Sequence, residues 1–96
     1  MEISKRVKEL AQDLRVREPR SGYESLGGEA GAARMLDKCR ATLAGMNGDY
    51  QFGCSLDQHF FNETGIDQNA FREFVATGAT DEDVAAWIAR HSHNRR

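Results

Sequence analysis

The chain has few of the residues that define specialised protein classes. It contains two cysteines, one proline and one tryptophan in 96 residues, and its apolar runs are only a few residues long. Two cysteines cannot supply the disulfide network of a small secreted domain, and roughly 20 consecutive apolar residues are needed to span a bilayer. The charged segment from Met1 to Arg6 is also unlike a secretory signal. We therefore expect free thiols at Cys39 and Cys54, no membrane helix and a cytoplasmic location.

Excess positive charge is also lacking. The formal net charge is −2, from 13 Lys and Arg against 15 Asp and Glu. Proteins dedicated to nucleic-acid binding are usually basic overall, so nucleic acid is an unlikely partner. Basic residues do gather at both ends of the chain, which keeps nucleic-acid binding through the termini as a lesser alternative. The cysteines and histidines lack zinc-ligand spacing and the glycines form no phosphate loop, so we predict no metal and no cofactor.

What is present is the pattern of a small helical protein. Ile3, Val7, Leu10 and Leu14 fall on one stripe of a helix that should stop before Pro19. With the later helix signals, this predicts an all-α, compact single domain of about five short helices. We divide the chain into an N-terminal amphipathic helix and arm (1–19), a helical domain (20–91) and a basic tail (92–96).

Later helix boundaries follow from glycines and capping residues. A second helix should run from about residue 29 or 32 to Ala44, where Gly45 suits a left-handed ending. Ser55 and Gln58 have the form of a capping box at the start of a third helix. Asp67 and Thr80 can cap a fourth and a fifth helix, and the bend before the second helix should lie at residues 27–28.

Several short runs resemble a known family. They are RMLDKCRA (34–41), GDY (48–50), CSLDQ (54–58) and TGID (64–67), with Trp87 and Ile88 near the end of the chain. They are similar to a bacterial family known only as a domain of unknown function (family 5069), over roughly residues 20–88. In that family proline often follows the cysteine, where this chain has Ser55. The resemblance implies no activity.

The second helix carries the densest group of candidate site residues. Its apolar arc has Cys39 at the centre, which predicts a buried thiol. The opposite face carries Arg34, Asp37 and Lys38, with Arg40 at its border. Two interpretations stay open: a solvated ladder of salt bridges three residues apart, or a face on which the arginines recognise an anion while Asp37 orients them.

Cys54 and Asp57 lie around the start of the third helix. A helix N-terminus lowers the pKa of a thiol, so Cys54 is a candidate reactive residue. Asp57 either serves helix-start electrostatics or is partly buried, in which case it needs Arg34, Lys38 or Arg40 as a partner. His59 projects from another side of the helix than Asp57, so spacing gives no cysteine and histidine pair.

These observations predict a small soluble helical binding or interaction module for a small anion or a protein partner. The alternative is a small enzyme in which Asp57 acts as acid or base, Cys54 as nucleophile, and Arg34 or Arg40 steadies an anion. The residues predicted to line the candidate site are Arg34, Asp37, Lys38, Arg40, Tyr50, Cys54 and Asp57.

Overall fold

Five short helices and one small hairpin make up the described part of the chain, residues 2–92 of a computed structural model. In chain order the helices are α1 (Lys5–Leu10), α2 (Ala32–Ala44), α3 (Ser55–Thr64), α4 (Gln68–Ala76) and α5 (Asp81–His91). The radius of gyration, 12.2 Å, is close to the value of about 13 Å expected for a compact domain of this size. The predicted helical single domain is confirmed. Apart from Ser92, the predicted basic tail lies outside the described residues.

A two-stranded hairpin precedes α2. Strand β1 (Ser25–Leu26) pairs antiparallel with β2 (Glu29–Ala30), and the two glycines between them have positive φ values. The predicted bend at residues 27–28 is therefore present, whereas the strands, only two residues each, were not predicted. The second helix begins at Ala32, the later of its two predicted starts. A Cβ atom on Gly27 would lie 2.6 Å from the carbonyl oxygen of Ala85, so the hairpin packs directly on α5.

The central helix is α2, and its boundaries follow from glycine. Gly31 and Gly45 both adopt left-handed conformations, and the N–H of Gly45 closes the last turn. The apolar face of α2 is buried in the core, where Cys39 has no exposed surface. The predicted end of this helix and the burial of the thiol are both found.

Aromatic rings fill the core beneath α2. The ring of Phe71, on α4, lies 5.9 Å from each of the rings of Phe52, Phe61 and Trp87. Such contacts contribute roughly 0.5–1.5 kcal/mol per pair beyond the burial of area. The ring of Phe71 thereby joins α3, α4, α5 and the segment before α3 in one aromatic cluster.

The first helix is shorter than its apolar stripe predicts. It ends at Leu10, and Leu14 is buried from a turn instead, with its N–H bonded to the carbonyl of Met46. The carboxylate of Asp13 accepts the backbone N–H of Arg15 at 3.0 Å and so competes with helix continuation. The stripe identified Val7 and Leu14 as buried, but Ile3 is exposed. The helix stops before Pro19 as predicted, although it ends short of Leu14, the last residue of the stripe.

The capping signals were partly right. Thr80 and Asp83 form a reciprocal capping box, and Asp67 accepts the N–H of Ala70. The capping box predicted for Ser55 and Gln58 is absent, because α3 begins one residue earlier, with Cys54 in the capping position. Gln58 instead bonds to the carbonyl of Gly53 and to Gln68.

Within residues 2–92, no helix has both the length and the apolar composition needed to cross a membrane.

Candidate functional site

A cleft of about 270 Å³ lies between α2, α3 and the hairpin. At roughly 30 Å³ for each water molecule in the liquid, it has the volume of about nine waters. This size suits a small metabolite and is below the usual range for larger cofactors. Its walls include both charged and apolar side chains: Glu29, Arg34, Met35, Lys38, Leu56, Asp57, His59, Phe60, Glu63 and Thr64.

A buried ion pair joins the two helices at one end of the cleft. The Nζ atom of Lys38 lies 3.2 Å from Oδ2 of Asp57, and both side chains are almost completely buried. The same carboxylate oxygen accepts the backbone N–H of Gly53 at 2.8 Å. Of the three basic partners considered for Asp57, the one that the structure provides is Lys38.

The thiol of Cys54 contacts this pair. Its Sγ atom lies 3.3 Å from Nζ of Lys38, and the side chain is partly exposed at the start of α3. Burial opposes ionisation of the thiol, but the backbone N–H of Asp57 and the ammonium of Lys38 outweigh it and lower the pKa. The other cysteine, Cys39, has its pKa raised by burial to about 12. The surroundings of Cys54 therefore favour its thiolate, whereas those of Cys39 favour its neutral thiol.

Arg34 lies one helical turn before Lys38 and lines the same cleft. Its guanidinium carbon is 5.6 Å from the centre of the Tyr50 ring, which is within cation–π range. One guanidinium nitrogen donates to the carbonyl of Arg20 at 3.4 Å. Among residues 2–92, no carboxylate lies within 4.0 Å of Arg34. Its position is thus fixed while its charge remains uncompensated by an acidic side chain.

Asp37 and Arg40 belong to a separate network. Arg20, in the irregular segment before β1, donates to both carboxylate oxygens of Asp37, with the shortest bond at 2.8 Å from its backbone N–H. Arg20 and Arg40 both donate to Asp81, at 2.8 and 2.9 Å. Arg40 also donates to the carbonyl of Ala79 at 2.9 Å. This network holds the segment around Arg20 and the start of α5 against α2.

The ion pairs of this network favour the charged forms of Arg20 and Asp81. Burial lowers the pKa of Arg20, but its hydrogen bonds to Asp37 and Asp81 outweigh that effect and raise it. Burial raises the pKa of Asp81, but hydrogen bonds from Arg20 and Arg40 outweigh it and lower the pKa. Neither a solvated ladder nor an anion-binding face describes Asp37 and Arg40, which are buried and already paired.

The seven predicted site residues therefore fall into two groups. Those that line the cleft or contact a residue that does are Arg34, Lys38, Tyr50, Cys54 and Asp57. The remaining two, Asp37 and Arg40, lie in the network with Arg20 and Asp81. Sequence reasoning missed Arg20, Glu29 and Glu63, because their roles depend on contacts between elements rather than on local spacing.

No three His, Cys, Asp or Glu side chains come together as metal ligands within the part of the chain that the structure describes. The cationic group beside Asp57 and Cys54 is the ammonium of Lys38.

The chain matches the model of a known protein family. The model of the domain of unknown function DUF5069 matches residues 16–96, and the chain belongs to that family. A search of the curated proteins found no match. The matched residues include Arg20, both walls of the cleft and all seven predicted site residues.

Proposed function

We propose that this protein is a small-ligand binding module whose cleft between α2 and α3 holds an anionic group of its ligand at Arg34. The observation that carries the proposal is the state of that guanidinium. It lines a cleft, it is positioned by Tyr50 and the carbonyl of Arg20, and no carboxylate of residues 2–92 lies within 4.0 Å of it. A guanidinium fork in this condition suits a carboxylate or phosphate group.

The apolar part of the cleft supports a small organic ligand. Met35 from α2 faces Leu56 and Phe60 from α3 across the cleft. Pockets that bind small molecules combine such apolar walls with a few placed polar groups. Leu56 lines the cleft and is exposed, which fits a position at its mouth.

A screen for stabilising ligands tests this proposal. Small carboxylates and phosphates are added to the purified protein, and the melting temperature is recorded. A ligand at 100 times its dissociation constant adds about 2.7 kcal/mol to the free energy of unfolding. The Arg34→Gln variant should weaken binding roughly tenfold or more, since hydrogen bonds to charged groups contribute about 1.5–3 kcal/mol.

The matched control is Arg17→Gln, which removes an exposed arginine outside the cleft. It should leave the affinity unchanged. The proposal is refuted if no carboxylate or phosphate, amino carboxylates included, stabilises the protein, or if both variants weaken binding equally.

A second candidate function is thiol-dependent catalysis at Cys54. It is supported by the contact between Sγ and the buried Lys38 ammonium at 3.3 Å, beside the start of α3. In this arrangement Cys54 is the nucleophile and Asp57 holds Lys38 in place rather than acting as the base. Arg34 is the arginine available to steady an anion, because Arg40 is already paired with Asp81.

Alkylation kinetics test this candidate. Iodoacetamide should modify Cys54 at least roughly 100-fold faster than Cys39, which is buried and has a raised pKa. In Lys38→Met the pH–rate profile of Cys54 should move to higher pH, because the ammonium that lowers its pKa is removed. Faster modification of Cys39, or an unchanged profile in the variant, would refute the candidate.

Both functions fit a cytoplasmic location. We propose this location because free thiols persist in a reducing compartment.

A further inference from the structure

The charges that line the cleft do not suit a simple anion. Two basic and three acidic side chains line the cleft. Of these, Lys38 and Asp57 form an ion pair and neutralise each other. Arg34 therefore shares the remaining space with the carboxylates of Glu29 and Glu63. A ligand with only a negative group would gain at Arg34 but meet like charges nearby.

Glu29 and Glu63, the two acidic residues outside the buried pair, line the cleft from other parts of the fold than Asp57. Asp57 is in the first turn of α3, whereas Glu63 is in its last turn, and Glu29 is on the hairpin. Glu63 is 58% exposed, so it is at the mouth of the cleft. Its contact within residues 2–92 is a 3.5 Å pair with His59, which is charged only when the imidazole is protonated.

From these charges we infer that the ligand is a small amino carboxylate, whose carboxylate binds Arg34 and whose ammonium group binds Glu63. The inference rests on the proposed function, and it adds the second charge that the ligand must carry. The hydrocarbon part of the ligand lies against the apolar side chains of Met35 and Phe60, which line the same cleft. A ligand of this class fits a volume of about 270 Å³.

Four probes of equal carbon number test the inference by isothermal titration calorimetry. Norleucine and 6-aminohexanoate carry both charges at different separations, hexanoate carries only the carboxylate, and hexylamine carries only the ammonium. One of the two amino carboxylates should bind roughly tenfold or more tightly than both single-charge probes, because each charged hydrogen bond contributes to affinity.

Two variants locate the ammonium group. Glu63→Gln should weaken binding of the amino carboxylate roughly tenfold and leave hexanoate binding unchanged or slightly tighter. Glu73→Gln, which changes an exposed carboxylate on α4 outside the cleft, is the matched control and should change neither. The melting temperatures of both variants verify that they fold.

The inference is overturned if hexanoate binds as tightly as the better amino carboxylate, or if both variants behave alike. In either case Arg34-dependent binding of hexanoate would leave the proposed function intact. Binding of none of the four probes also overturns the inference, whereas the proposed function is then decided by its own screen of carboxylates and phosphates.

Discussion

Replacing Lys38 by methionine tests whether the buried ion pair at the end of the cleft holds α2 and α3 together. The side chains of Lys38 and Asp57 are 6% and 7% exposed. Methionine has a similar length and fills much of the same space, so the change removes charge with little loss of packing. Asp57 is then left as a buried carboxylate whose hydrogen bond in this structure comes from Gly53.

The expected loss of stability is large for a domain of this size. Removing one partner of a buried ion pair costs about 3–5 kcal/mol, because the other charge stays buried without compensation. The N–H of Gly53 and the start of α3 still favour the carboxylate of Asp57, which places the loss near the lower limit, about 3 kcal/mol. A loss of that size lowers the melting temperature by at least roughly 12 °C.

Urea unfolding at neutral pH, followed by circular dichroism, measures the change in the free energy of unfolding. Lys8→Met, at an exposed position of α1, is the control and should stay within about 0.5 kcal/mol of the unaltered protein. Asp57→Asn should also destabilise, and the double variant should lose less than the sum of the two single losses. A loss below about 1 kcal/mol for Lys38→Met, or additive losses, would refute the reasoning.

Two further predictions concern the packing of the hairpin and the network around α5. Gly27→Ala should lower the free energy of unfolding by about 1–3 kcal/mol, because the added methyl meets the carbonyl of Ala85 at 2.6 Å. Gly28→Ala, with a positive φ but no atom within 4 Å, should cost less, and equal losses would contradict the packing. Asp81 has a lowered pKa, so it contributes stability above the unfolded pKa that is lost as the pH falls through the folded pKa. Asp81→Asn should therefore flatten the acid dependence of stability, unlike Glu82→Gln, and identical acid-unfolding curves would exclude this role.

The parts of the fold that were predictable depend on local signals. Gly45 and Thr80 mark helix ends through their own backbone or side chain, so the pattern around each is sufficient. The length of α1 was not predictable in this way. Its apolar stripe continues to Leu14, but α1 ends at Leu10, and Leu14 is buried in a turn whose backbone bonds to Met46, far along the chain.

The candidate site was predictable only in part. The density of charge on α2 drew attention to Arg34 and Lys38, and both line the cleft. The same pattern did not predict that Asp37 is buried, because its partner Arg20 lies in an irregular segment 17 residues earlier. Spacing along a helix predicts ion pairs between residues three or four apart. The ion pairs of α2 are instead formed with Arg20, with α3 and with α5.

The most direct test of the central claim is a crystal structure of the protein with the small carboxylate or phosphate that stabilises it most. The account predicts that the anionic group lies about 3 Å from the guanidinium nitrogens of Arg34, with the rest of the ligand between α2 and α3. A ligand bound in the shallow depression beside Arg6 and Arg90, with the cleft unchanged, would contradict it.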